Sequence, residues 1–235
     1  MKKLAILMAA GMGTRMRPIT DTMPKPLVAV HGKPMIETII DGLISEGLVN
    51  EIYVVTGYLG EQFDYLKEKY NNVYLINNPY YEVKNNISSI YVAREVLRQG
   101  DCFICESDIY VADASIFARE LKQSCYYGCF KESYSDDWVF DIKDGRIIRV
   151  GKIGNNAYNM VGVAYFKSDD ASFLADTIEK AFASEENSQY FWDDVVNQNL
   201  DRLNLKVEPV KEGQLVEVDT VEELNRVNES MGFVK

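Results

Sequence analysis

The feature that most constrains this chain is the regular exchange of short apolar runs for helical patterns across its first half. KLAILM (3–8) is continuously apolar, as a strand covered on both faces requires. A glycine-bearing loop follows. Pro34 then opens MIETIIDGLISEG, whose apolar residues recur at helical spacing as far as Gly47. EIYVVTG (51–57) and EQFDYLKEKY (61–70) repeat the strand–helix pair, as do VYLINN (73–78) with SSIYVAREVL (88–97) and DCFICESD (101–108) with ASIFARELKQS (114–124). Connections this short imply right-handed βαβ units and a mainly parallel sheet with helices on both faces. The expected class is therefore α/β and Rossmann-like, and ligands in such folds collect at the carboxyl ends of the strands.

From about residue 125 the pattern changes. CYYGCF, WVFDI, RIIRVG and NMVGVAYF read as strands separated by turn chemistry such as Asp144-Gly145. Helical stretches ASFLADTIEKAFAS (171–184) and DDVVNQNL (193–200) follow, then a short strand LVEV and a terminal helix EELNRVNESM (222–231). No linker, low-complexity tract or internal repeat interrupts the chain. The expectation is one mixed-sheet domain over 1–235, whose second half (about 125–235) adds a small β/α lobe to the first (about 1–124).

Composition narrows the function. The net charge is −11 over 235 residues, which argues against a nucleic-acid surface. An anionic ligand then needs a local cluster of positive groups. No segment approaches the roughly 18 apolar residues of a membrane span, and the apolar start LAILMAA runs into GMGTRMRP without a cleavage site. The chain reads as cytoplasmic. Cys102, Cys105, Cys125 and Cys129 are spaced like zinc ligands, but residues three apart on a strand face opposite sides, so four reduced thiols are expected instead.

That positive cluster is present in AAGMGTRMRP (9–18) and PKPL (24–27). Two glycines directly after a buried strand let backbone N–H groups approach anionic oxygens. Arg15 offers a planar fork matched to phosphate, and Lys25 a mobile point charge. Neither of two other phosphate loops fits: Met16 stands where a dinucleotide fingerprint needs its third glycine, and Met16-Arg17-Pro18 where a Walker loop needs Gly-Lys-Ser/Thr. Further on, Asp108 ends a strand where a carboxylate can hold Mg²⁺ against triphosphate oxygens. Asp219 is a second acidic point, although Thr220 and Glu223 also form a helix capping box there. His31 sits alone in a VHGKP turn, which removes Ser-His or Cys-His nucleophilic mechanisms.

The ordered string of strand, A-A-G-x-G-T-R-x-x-P and P-K-P-L resembles the signature of the sugar-nucleotidyltransferase superfamily. GYLGEQFDYLKEKY (57–70), NNISSIYVA (85–93) and YFWDD (190–194) look like bacterial choline-phosphate cytidylyltransferases of the LicC type. The resemblance implies a nucleotide-diphospho-sugar transferase fold. It also implies transfer of CMP from CTP to phosphocholine, with Mg²⁺ as cofactor and pyrophosphate released. Under that resemblance Ala9, Ala10, Gly11, Met12, Gly13 and Thr14 cradle the nucleotide, and Asn86 and Ser89 line its base pocket. Arg15 binds the departing phosphates, Lys25 bridges the α-phosphate and the acceptor, and Asp108 and Asp219 carry the metal. Glu106 stands where an aspartate is more usual and receives no ligand role.

A quaternary ammonium is held by aromatic faces with nearby carboxylates. Trp138, and the Phe191-Trp192-Asp193 run, are the expected acceptor cage, with Lys152 directed at the acceptor phosphate by resemblance. A primary-amine acceptor such as 2-aminoethylphosphonate or phosphoethanolamine also suits acids and aromatics, and a sugar 1-phosphate is a third alternative.

Overall fold

The computed structural model describes residues 2–45, 47–184, 186 and 189–230. The first strand, β1 (Lys3–Ala9), shows why a continuous apolar run was needed: Leu4 and Ile6 pack into one core, while Ala5 and Leu7 pack into the other. After the glycine loop come three short 3₁₀ turns (14–16, 19–21 and 25–27) and a small antiparallel pair, β2 (Ala29–Val30) and β3 (Lys33–Pro34). Helix α1 (Met35–Ser45) then buries Ile36, Ile39, Ile40 and Leu43 along one stripe.

Strand β4 (Glu51–Thr56) pairs parallel to β1. It leads through a 3₁₀ turn at Gly60–Phe63 to α2 (Tyr65–Lys69), so the helix expected over 61–70 is split. Strand β5 (Val73–Asn77) follows, and the next helix divides at Ala93 into α3 (Ile87–Val92) and α4 (Arg94–Leu97). Strand β6 (Asp101–Glu106) pairs parallel to β1 on its other side. The helix expected over 114–124 is absent: a three-residue strand, β7 (Ile109–Val111), precedes a 3₁₀ turn at Ala114–Ala118. That turn buries only Ile116 and Phe117, too narrow an apolar face to hold a full helix.

The second half is dominated by one long hairpin, β8 (Cys125–Lys143) and β9 (Arg146–Phe166), turned at Asp144-Gly145. The four separate strands expected there are its straight parts. The ribbon bends back on itself, because Val139 and Phe140 pair with Gly151 and Val150 on one edge and with Asn159 and Tyr158 on the other. Next come α5 (Ser168–Phe182), α6 (Trp192–Gln198), β10 (Lys206–Val210), β11 (Leu215–Glu217) and α7 (Val221–Glu229). The expected last residue of that helix, Met231, lies outside the described residues.

Among the described residues the main sheet has seven strands in the order β10-β8-β9-β6-β1-β4-β5, so it draws on both sides of residue 124. It is mixed: β6, β1, β4 and β5 run parallel, while β9 is antiparallel to both β6 and β8. Helices α3 to α6 cover one face, and α1 and α2 the other. No described helix is long and apolar enough to cross a membrane. Cys102, Cys105 and Cys125 are buried free thiols, and Cys129 is half-buried; burial pushes the Cys125 thiol up to about 12.

Asp101 ties the two halves together beneath the sheet. Its buried carboxylate accepts hydrogen bonds from Tyr165 Oη (2.6 Å), Lys167 Nζ (2.6 Å) and Ser168 N (2.9 Å). Burial alone would raise its pKa, but these donors outweigh burial and hold it below the usual carboxylate range. Its contribution to stability is therefore present above the unfolded-state pKa of about 3.9 and is lost as pH falls through the lower folded value. Asp101→Asn should cost about 1–3 kcal/mol in urea denaturation at neutral pH and flatten the acid limb of stability; an unchanged midpoint would refute the role.

Candidate active site

The carboxyl ends of β1, β5 and β6 open on a cleft of about 460 Å³. It is lined by Met8, Gly11, Arg15, Asn86, Ser89, Glu106, Asp108, Trp138, Lys152, Phe191, Asp193, Glu217 and Asp219 among others. A second hollow of about 360 Å³ shares Gly11, Arg15, Asp108 and Asp219 with it and reaches Gly13, Thr14 and Lys25. The glycine loop therefore lies between two connected spaces. Fifteen of the seventeen residues singled out from the sequence line one or the other: Ala9 and Thr14 line the second, Ala10 the first, while Met12 is exposed on the loop between and Trp192 lies in neither.

The loop's geometry explains its glycines. Gly13 takes φ 60° in the left-handed region, and a Cβ there would stand 2.8 Å from Lys25 Cβ. Gly13 O also accepts hydrogen bonds from Thr20 Oγ1 (2.8 Å) and Met16 N (2.9 Å). The AAGMGT and PKPL segments are thus packed backbone to side chain, and this seats Lys25.

Lys25 is buried, and its Nζ lies 2.7 Å from Asp108 Oδ2 and 2.5 Å from Asp219 Oδ1. Burial opposes its charge, but the two carboxylates outweigh burial and hold its pKa above the ordinary lysine value. Arg15 Nη2 meets Asp219 Oδ1 at 2.7 Å while most of its side chain stays open to solvent. Burial likewise works against the charge on Asp219, and Lys25 and Arg15 overcome it, holding its pKa low. Chain-distant segments are brought together by β11 pairing antiparallel to β7, with Glu217 opposite Ile109 and Val218 N donating to Asp108 O (3.1 Å).

Sequence reasoning missed part of the acidic group. Carboxylate oxygens of Glu106, Asp108 and Glu217 lie within 4.8 Å of one another. Asp108 Oδ1 is buried without a hydrogen-bond partner. A hard divalent cation fits that donor set, since an unpartnered buried carboxylate oxygen is costly without one. The structure thus adds Glu217, which was not singled out from the sequence, to Asp108. Asp219 lies alongside and is committed through Oδ1 to Lys25 and Arg15. Period-two alternation in LVEVD would have placed Glu217 and Asp219 on one side, and so was a signal available in the sequence.

Of the residues expected to hold an acceptor, Trp138 and Phe191 meet edge to face, 5.5 Å between ring centroids, and Lys152 Nζ lies 5.8 Å from each ring. Asp193 is buried and receives Tyr126 Oη at 2.9 Å; burial pushes its pKa up to about 7, against that bond. Burial, with Asp108 and Asp193 nearby, raises Glu106 well above its ordinary value. Trp192 requires a correction. Only 3% of it is exposed, and its ring stacks on Tyr126 (5.6 Å, 23°) within the core rather than facing the cleft. It opens α6, where successive side chains diverge by a third of a turn, so the largest apolar ring turns to the core while its neighbours Phe191 and Asp193 face the cleft. Its backbone N–H donates instead to Asn86 Oδ1 (3.0 Å), and Asn85 Nδ2 donates to Gln189 O (3.3 Å). On the other wall, Asn78 holds the hydroxyls of Ser88 and Ser89.

A glycine loop at the switch of a mainly parallel sheet, backed by a lysine clamped between two carboxylates, defines a nucleotidyl-transferring enzyme. Residues 4–126 match the Nucleotidyl transferase family, and the chain belongs to it. The chain is 50% identical over 224 residues to a 2-aminoethylphosphonate cytidylyltransferase of Lancefieldella rimae, covering 95% of this chain and 91% of that protein. It is 36% identical to the choline-phosphate cytidylyltransferase of Streptococcus pneumoniae, covering 96% of both. The solved CTP:phosphocholine cytidylyltransferase (LicC) of S. pneumoniae superposes with a TM-score of 0.90 at 33% identity, over 97% of this chain and 99% of that one. A glucose-1-phosphate thymidylyltransferase of Bacillus anthracis, at 17% identity and TM-score 0.80, shares the fold over 99% of this chain and 96% of its own. The chain is a cytidylyltransferase of the mixed, mainly parallel fold read from its sequence.

Lys25→Ala and Asp108→Ala should each lower turnover at least about a hundredfold in a pyrophosphate-release assay, as loss of charge stabilisation in the transition state does. Near-normal turnover in either folded variant would place the chemistry elsewhere.

Proposed function

We propose that the protein transfers CMP from CTP to a small acceptor bearing a phosphonate or phosphate at one end and a primary ammonium at the other, with 2-aminoethylphosphonate as the favoured acceptor. The observation that carries this reading is the make-up of the acceptor wall. With Trp192 turned into the core, two of the three expected cage rings remain, Trp138 and Phe191, and both lie near the Lys152 ammonium. Carboxylates of Glu106, Asp137, Asp193 and Glu217 line the same cleft. A primary ammonium donates three hydrogen bonds to such groups, whereas a quaternary one donates none. The 50% identity to the L. rimae 2-aminoethylphosphonate cytidylyltransferase supports the same reading.

The chemistry follows from bringing two anions together. In the proposed arrangement the backbone amides from Ala10 to Gly13, with Asn86 and Ser89, hold the nucleotide, and Arg15 holds the β- and γ-phosphates. Lys25, fixed by Asp108 and Asp219, stands between the α-phosphate and the acceptor oxygen, where charge develops. Asp108, Glu217 and the adjacent Asp219 would hold Mg²⁺, which supplies further neutralisation of the triphosphate when bound. The acceptor's ionised phosphonate oxygen forms the new bond to the α-phosphorus as the α–β bridging oxygen departs with pyrophosphate. No general base is needed. Lys152 meets the acceptor's anionic group, and Asp193 faces its ammonium.

Phosphocholine is the second reading. The Trp138–Phe191 pair and the S. pneumoniae relative favour it.

Pyrophosphate release with CTP and Mg²⁺ should be faster with 2-aminoethylphosphonate than with phosphocholine, and absent with glucose 1-phosphate. Preference for phosphocholine would reverse the acceptor assignment; release only with the sugar phosphate would remove both amine readings. A chiral α-phosphorothioate nucleotide should be converted with inversion at phosphorus, and retention would overturn the direct displacement.

A further inference from the structure

Lys152 sits at a corner of β9 where the backbone does something unusual. Ile153, a β-branched residue, has φ 69°, in the left-handed region that such residues rarely occupy. This conformation costs free energy and persists only where neighbours enforce it. The enforcing group is Arg149. Its Nη1 donates to Lys152 O (3.1 Å) and its Nη2 to Ile153 O (3.0 Å), so both peptide carbonyls of the corner are gripped by one planar group. The guanidinium is oriented in turn by Asp141, its cross-strand partner, through Nε–Oδ2 at 2.6 Å and Nη2–Oδ1 at 3.0 Å. Between them, Gly151 leaves the space the fork uses: a Cβ there would stand 2.7 Å from Arg149 Nη1.

The corner points its one cation at the cleft. Lys152 lies opposite Trp138 in the hairpin register, lines the cleft, and places Nζ 5.8 Å from the Trp138 and Phe191 rings. Bulged and left-handed corners re-aim side chains in this way beside active sites. A lysine at this corner without the fork would have a four-carbon stem and a mobile backbone to order on binding, which weakens affinity for whatever it meets.

We propose that Arg149, oriented by Asp141, is a positioning residue for the transfer reaction: it locks the 151–153 corner so that Lys152 is presented to the anionic end of the acceptor. Arg149 itself touches no substrate. The proposal rests on the reading that Lys152 meets that anionic end.

The test is a double-mutant cycle on the whole enzyme, with the KM of the acceptor, the KM of CTP and the melting temperature measured for Arg149→Ala, Lys152→Ala and the pair. Arg149→Ala should raise the acceptor KM on the order of tenfold, leave the CTP KM unchanged, and add almost nothing once Lys152 is alanine. The same multiplier in both backgrounds, or a lower melting temperature with an unchanged acceptor KM, would overturn the proposal by reducing Arg149 to a structural part. Wild-type kinetics in Lys152→Ala would instead remove the reading of Lys152, and the proposal with it; an effect of Lys152→Ala without one of Arg149→Ala would remove the proposal alone. Should Arg149→Ala not fold, Arg149→Lys enters the same cycle, because it keeps a charge for Asp141 but has no fork to span both carbonyls.

Discussion

The arrangement of this protein hangs on a single ammonium group. Lys25 Nζ holds Asp108 from the end of β6 and Asp219 from the start of α7, residues 83 and 194 positions away in the chain. In a molecule of net charge −11, two carboxylates in one enclosed cleft repel each other and anything anionic that approaches. A buried cation between them turns that repulsion into a fixed geometry. It also leaves the pair of acids half-neutralised before a nucleotide arrives. Gly13 makes the arrangement sterically possible, and the β7–β11 pairing brings the second carboxylate within reach. Removing the cation would leave a buried charge uncompensated, which is far more costly than a lost surface pair.

What could be read from the sequence, and what could not, follows the range of the forces involved. KLAILM, EIYVVTG and DCFICE announced their strands because a strand covered on both faces must be apolar throughout, a local property. The glycine loop with Arg15 and Lys25 was legible because it is a local pattern after a buried strand, and because the whole ordered string, AAGMGTRMRP with PKPL, resembles a known signature. The helix expected over 114–124 failed because the deciding fact was how little of that face met the core. Trp192 was misplaced because composition cannot say which of three adjacent residues turns inward at the first turn of α6. Glu217 was passed over since its partners, Glu106 and Asp108, are contributed by a strand more than a hundred residues earlier. The doubled-back course of the long hairpin, on which Lys152 depends, passes through left-handed residues at Ile153 and Asn156; asparagine tolerates that backbone, but a β-branched isoleucine gives no sign of it.

The two sides of the cleft are mechanically joined. The turn carrying Asn85 and Asn86 grips the segment carrying Phe191 and Asp193, through Asn85 to Gln189 O and Asn86 to Trp192 N. Beneath it the Trp192 ring, stacked on Tyr126, keeps α6 seated, and Tyr126 holds Asp193 through its hydroxyl. Trp192, turned out of the cleft, therefore supports Phe191 and Asp193, which line it.

The grip of Asn86 on a main-chain amide rather than on a side chain has an evolutionary consequence. Any amino acid except proline at position 192 supplies that N–H, and replacements at 191 or 193 leave it where it is. The segment carrying Phe191 and Asp193 is thus free to drift by point mutation while this main-chain grip persists. A lineage built on this scaffold can change the side chains on that side of the cleft without disturbing the asparagine opposite.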